Sequence, residues 1–290
     1  MTFNAAEKHQ SQIPALQMLV ALGFKPLSQT QALTLRGDRL RNVVLDDVLA
    51  DSVMRINRFT HRGRDYAFDL EDAHEAMHRV KPTPDRLKGL KGTNQNIYDT
   101  LVLGTTITKT IDGDSKSYSF RLIDWEVPEN NSFHVTAEFA VERTGSTQTK
   151  RCDIVAFING IPVLVIENKR PTESLKKVGS QLVGYQKEDD IPLLFRFAQM
   201  LMTMNRTEAR FATVGTPQKF WQTWRDEEDT DATIAAVANR TLTGPEADAI
   251  LSGDFASARP FFNALQAEGD RAVTAQDRTL YAHARPQTTA

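Results

Sequence analysis

A single cysteine, Cys152, excludes an intrachain disulfide and any cysteine-based zinc cluster. No run of about 18 apolar residues is present, the length a membrane-spanning helix needs. The opening MTFNAAEKHQ lacks the basic start and apolar centre of a secretion signal. A cytoplasmic protein without a membrane partner is the expectation. An excess of positive charge is missing too. Lys and Arg number 35 and Asp and Glu 37, a net charge of −2 rather than the basic footprint of many nucleic-acid binders. A phosphate-binding surface would have to be local, and two clusters are on offer: Arg36, Arg39 and Arg41, and Lys169, Arg170, Lys176 and Lys177. The pattern G-x-x-x-x-G-K-[ST] does not occur, so ATP binding within this chain has no support.

What is present is a change of period. Segments 11–23, 42–58, 70–80 and 95–103 carry apolar residues at helical spacing, with Gly23 and Gly104 as stops. From 117 the period becomes two. Segments 117–125, 132–142, 150–158 and 162–169 read as consecutive strands of an antiparallel meander. Helix returns over 172–187, two strands follow at 200–204 and 210–214, and Phe220, Trp221 and Trp224 fall on a short helix, in the core. This order predicts an α/β fold with one mixed sheet flanked by helices. Residues 1–225 form the expected domain, helical over about 1–105 and sheet over about 115–225, with a helical extension over 226–290.

The chemistry gathers on one hairpin. Asn159-Gly160 between two β-rich runs is a strong turn signal. A two-residue turn pairs Ile158 with Ile161 and turns Glu167 away from Asp153. A three-residue loop, with Gly160 left-handed, pairs Ile158 with Pro162 and sets Asp153 opposite Glu167, with Lys169 on the same face. The second register is the one the chemistry requires. Two facing carboxylates repel unless a proton or cation lies between them. A hard divalent cation suits oxygen donors, so Asp153 and Glu167 are the expected ligands of Mg²⁺, with Mn²⁺ as a substitute. Lys169 would orient or help deprotonate an attacking water, or stabilise charge on a phosphate. The bland alternative is a solvated hairpin end.

The stretch from Asp153 to Lys169, with Gln181-Leu-Val-Gly-Tyr185 after it, resembles the nuclease domain of the R (restriction) subunit of type I restriction-modification enzymes. So do LQMLVALGFKPLS, NQNIYDTLVLGT, IDWEVPENNSFHVTAEFAV and ARFATVG, and DRTLYAHARP resembles the approach to the family's motor domains. Cys152 stands where proline is usual. The resemblance implies a PD-(D/E)xK restriction-endonuclease-like core that cuts double-stranded DNA. It implies Asp153 and Glu167 as Mg²⁺ ligands, Lys169 as catalytic, and Gln181 and Tyr185 as DNA-contacting or site-supporting. Glu7 is the candidate for an additional acidic residue. Implied partners are the methyltransferase (M) and specificity (S) subunits, with ATP used only by motor domains outside this chain. The chain is then a fragment or a short relative. A non-catalytic DNA-docking or assembly module of the same fold is the alternative.

One motif competes. His74-Glu75-Ala76-Met77-His78 matches H-E-x-x-H, a zinc metalloprotease pattern when two histidines share a helix face. Asp72 and Arg79 place charge beside it, and no third ligand follows at the usual spacing.

Overall fold

The computed structural model describes residues 11–80, 89–170, 175–205, 208–224 and 243–252. The chain begins with helix α1 (Ile13–Ala21), whose Ile13, Leu16, Leu19 and Val20 are buried. Gly23, at φ 104°, ends it: its N–H donates to Val20 O and that of Phe24 to Leu19 O. Strand β1 (Lys25–Leu27) follows, then α2 (Gln29–Thr34), started by a capping box between Ser28 and Gln31. Helix α3 (Asp46–Ile56) leads into the hairpin β2 (Arg58–His61) and β3 (Arg64–Ala67). Helices α4 (Leu70–Val80) and α5 (Gly89–Leu103) precede a second hairpin, β4 (Thr105–Ile111) and β5 (Asp114–Phe120). Then come β6 (Phe133–Glu142), β7 (Thr149–Ile158), β8 (Ile161–Asn168), α6 (Leu175–Tyr185), α7 (Pro192–Phe197), β9 (Met200–Met204), β10 (Ala209–Ala212), β11 (Gln222–Thr223) and α8 (Gly244–Ile250).

The main sheet has seven strands in the order β1-β6-β7-β8-β9-β10-β11. Pairs β1–β6 and β8–β9 are parallel and the others antiparallel, so the sheet is mixed, as expected. Helices α6 and α7 make the crossover that a parallel β8–β9 pair requires. Apolar cores lie on both faces. The larger holds Leu49, Val53, Phe120, Phe157, Val165 and Phe195; the smaller joins α1 and α8 to Val135, Ile154, Ala156 and Ile166. This mixed α/β architecture is consistent with a restriction-endonuclease-like fold.

Three expectations need correction. The strand expected at 117–125 is not part of the meander: β5 pairs with β4 in a separate hairpin. Asp112 (φ 51°) and Gly113 (φ 79°) form its two-residue turn, a local signal that outweighs pairing with β6. The three aromatics after Pro217 separate: Trp221 is buried, whereas Phe220 and Trp224 are about half exposed. Arg36 is not part of a surface cluster. It is buried, donates to Asn42 O and Ala140 O, and its guanidinium lies 4.2 Å from the Phe139 ring centroid. Burial lowers its pKa to about 10, which still leaves it charged near neutrality. The expected extension from 226 lies mostly outside the described residues, but its α8 returns Ile250 and Leu251 to the smaller core.

Candidate active site

The Asn159-Gly160 turn is tight. Both residues have positive φ (49° and 79°), and Ile158 pairs with Ile161, so the three-residue loop expected from the chemistry is wrong. The register changes further along: Phe157 pairs with Pro162, but Ala156 pairs with Leu164. One extra residue in β8 is absorbed as a β-bulge beside Pro162, which has no N–H for the ladder. Continuing the shifted register from Ile154↔Ile166 sets Asp153 opposite Glu167. The predicted outcome is reached by a different device.

The turn is not a solvated end either. Asn159 is fully buried. Its Nδ2 donates to Leu122 O at 2.8 Å and to Asn131 Oδ1 at 2.7 Å, and its Oδ1 accepts the Ser132 N–H at 2.7 Å. The Leu45 N–H donates to Gly160 O at 2.8 Å, tying the turn to the start of α3.

At the other end of the hairpin the β7–β8 ladder stops at Ile154↔Ile166, and side chains take its place. Asp153 Oδ2 accepts the Asn168 N–H at 2.7 Å, and the Asp153 N–H approaches Glu167 Oε1 at 3.4 Å. On the far side of β8 the ladder continues: Glu167 pairs with Thr203 and Asn168 with Met204, and the Lys169 N–H donates to Met204 O. Ser11 Oγ donates to Lys169 O at 2.6 Å, bringing the start of α1 to the site.

Glu167 is fully buried. Burial first, and then the adjacent Asp153, hold its carboxyl well above the ordinary range, against the opposing charge of Lys169 and the Asp153 N–H. Gln181 Nε2 donates to Glu167 Oε2 at 2.9 Å and to the Tyr185 hydroxyl at 2.7 Å. The i, i+4 spacing on α6 therefore joins both residues to the carboxylate. Burial, reinforced by Glu167, pushes the Tyr185 phenol up, and burial likewise pushes up the Cys152 thiol. Asp153, Glu167, Lys169, Gln181 and Tyr185 thus meet at one end of the hairpin, while Glu7 lies outside the described residues.

Sequence inspection missed two participants. Glu138, on β6, is buried; its Oε1 accepts from Gln12 Nε2 at 3.2 Å and its Oε2 lies 3.1 Å from Arg151 Nε. Gln12 Nε2 also donates to Asp153 O at 2.7 Å. The one local signal was a glutamate inside an otherwise apolar strand, TAEFAV.

The donor set fits a hard cation. Two carboxylates adjoin in a buried setting, where leaving both charged without a counter-ion is costly. Among the described residues no three His, Cys, Asp or Glu side chains form a cage. Mg²⁺ does not demand one, because it commonly binds one or two carboxylates and completes its shell with water and phosphate oxygens. The H-E-x-x-H motif behaves otherwise. His74, Glu75 and His78 lie on the exposed face of α4, and Glu75 pairs with Arg79 at 2.5 Å.

Residues 4–220 match the family described as type I restriction enzyme R protein N terminus. The chain belongs to this family. Among its relatives is the HindI type I restriction enzyme endonuclease subunit of Haemophilus influenzae, 27% identical over 230 residues, which are 76% of this chain and 20% of the relative. A second is the provisionally named MjaIXP type I restriction enzyme endonuclease subunit of Methanocaldococcus jannaschii, 31% identical over 147 residues, 49% of this chain and 14% of the relative. The R-protein N-terminal match includes the whole hairpin and α6. The chain spans a fifth or less of the length of these curated relatives.

Proposed function

We propose that this chain is the nuclease domain of a type I R subunit and hydrolyses double-stranded DNA with Mg²⁺. The observation that carries the proposal is the buried Glu167 beside Asp153, with side-chain oxygens standing in for ladder acceptors. In this PD-(D/E)xK reading Asp153 and Glu167 hold the cation, and Mn²⁺ substitutes. When bound, the cation offsets phosphoryl-oxygen charge and activates a water. Gln181, braced by Tyr185, fixes Glu167 through a charge-assisted hydrogen bond. Lys169 supplies the positive charge that stabilises the phosphorane-like transition state. Water adds to phosphorus, one P–O ester bond breaks, and the products are a phosphate monoester end and a hydroxyl end.

The relatives are named as endonuclease subunits of type I restriction enzymes, and this chain covers a fifth or less of their length. In the proposed setting this domain works with methyltransferase and specificity subunits and cuts after ATP-driven translocation by motor domains outside this chain. The chain alone is then expected to cut weakly or not at all. The test is Lys169→Ala in the full R subunit, assembled with its partners. Cleavage should fall at least a hundredfold while ATP hydrolysis and translocation continue. A variant that translocates and still cuts at the wild-type rate refutes the assignment, leaving the docking or assembly module as the alternative.

A further inference from the structure

Strand β6 contains a residue that a strand should not tolerate. Glu138 has φ 53°, in the left-handed region that costs a non-glycine residue free energy and is rare inside a sheet. Its neighbours show what the distortion does. Val135 and Ala137 pack into the smaller core, but Phe139 and Val141, two and four residues further on, pack into the larger one. An undistorted strand keeps such residues on one face. Strand β7 reverses at the same place: Ile154 and Ala156 face the smaller core and Cys152 the larger. The reversal falls at Glu138 and Asp153, which the register Ala137↔Ile154 and Phe139↔Cys152 sets opposite each other.

Both strands therefore turn over at the point where Asp153 leaves the ladder. The Glu138 side chain is tied to that point. Gln12 Nε2 bridges Glu138 Oε1 and the main-chain carbonyl of Asp153, and Arg151, two residues before Asp153, closes on the other Glu138 oxygen. Neither contact serves the apolar packing of either core. A strained backbone persists where surrounding interactions over-determine it, and such strain gathers at functional sites.

We infer that Glu138 is a positioning residue: through Gln12 its carboxylate fixes the Asp153 main chain so that the Asp153 side chain is set for a divalent cation. The inference rests on the nuclease assignment and extends it to a residue outside the proposed ligand pair Asp153 and Glu167. Support of this kind typically changes metal affinity 10–100-fold when removed.

Mn²⁺ titration of the full 290-residue chain, read by electron paramagnetic resonance or calorimetry, tests it without depending on cleavage. Glu138→Gly removes the carboxylate and also relieves the positive φ, so its thermal stability should match or exceed the wild type. Its Mn²⁺ affinity should nonetheless fall about tenfold. Glu138→Gln keeps an oxygen for Gln12 and should recover most of that loss. Gln12→Ala should weaken binding to a similar degree, and adding Glu138→Gly to it should cost little more. Should Glu138→Gly prove unfolded, the Gln12→Ala and Glu138→Gln comparison decides alone. Wild-type affinity in a folded Glu138→Gly or in Gln12→Ala, or fully additive losses, overturns the positioning role while Asp153→Asn still abolishes binding. Absence of Mn²⁺ binding by the wild type, or binding unaffected by Asp153→Asn, overturns the cation site itself and the inference with it.

Discussion

Asp153 accepts the main-chain N–H of Asn168 with a side-chain oxygen, at 2.7 Å, one step beyond the last ladder pair of the hairpin. An asparagine could keep that acceptor through its own oxygen while losing the charge that repels Glu167. Asp153→Asn should therefore abolish cleavage yet stabilise the cation-free protein by about 1 kcal/mol, since a site held strained for function gives stability when relaxed. For a domain of this size that corresponds to a rise of roughly 2–4 °C in Tm, checked by calorimetry with a chelator present. A Tm below wild type would contradict the charge conflict.

Gln181 and Tyr185 should separate in their effects. Gln181→Ala removes the donor on Glu167 Oε2 and leaves a buried carboxylate short of a partner, costing about 1–3 kcal/mol. Cleavage by the assembled enzyme should drop at least tenfold. Tyr185→Phe removes an acceptor for the Gln181 amide and should cost about 1 kcal/mol or less, with a smaller loss of rate. Denaturant melts paired with cleavage rates check the order; a Tyr185→Phe enzyme more impaired than Gln181→Ala would place the hydroxyl on the substrate instead.

The buried turn makes a stability prediction far from the chemistry. A methyl group on Gly160 would meet the Leu45 carbonyl oxygen and lie 2.9 Å from Leu49 N, at a φ of 79°. Gly160→Ala should destabilise by roughly 2–4 kcal/mol, from the left-handed backbone and the collision together. Urea unfolding measures it. A loss under 1 kcal/mol would mean that the turn and the start of α3 move apart easily.

His134 gives a pH dependence with a defined sign. Burial first, and then Lys25 on the neighbouring strand, lower its pKa, so the folded protein holds the ring neutral. The unfolded chain takes up the proton near pH 6.5, and stability is lost as pH falls from there through the lowered folded value. His134→Gln should flatten the difference in Tm between pH 7 and pH 5 relative to wild type. An unchanged slope would show that other groups set it.

Much of this molecule is written locally. Helix spacing, the Gly23 and Gly104 stops and the β-rich runs of β6 to β8 each follow from short windows of sequence, and the candidate site residues other than Glu7 lie within one hairpin and the helix after it. The failures have a shared cause. Whether β5 joins the sheet depends on which of two partners it finds, and β4 lies next to it with an Asp-Gly turn between. Arg36 carries the same charge as Arg39 and Arg41, and only the folded chain places Phe139 beneath it. The bulge in β8 is the subtlest case. Asn-Gly signals a two-residue turn, and the turn is one; Pro162 then shifts the register, and its effect at Glu167 appears only when both strands are aligned. Gln12 and Glu138 escaped because their partner lies more than a hundred residues away in sequence.

Strand β8 is stitched to β9 as far as Lys169 but parted from β7 after Ile166. The candidate site thus interrupts the weave of the sheet rather than either apolar layer. A pocket cut from a core forfeits packing over its whole lining. An interrupted seam gives up a few main-chain hydrogen bonds, and here side-chain oxygens of Asp153 and Glu167 take the N–H groups of Asn168 and Asp153 in their place. The protein can therefore keep two adjoining carboxyl groups within its sheet with both hydrophobic layers intact.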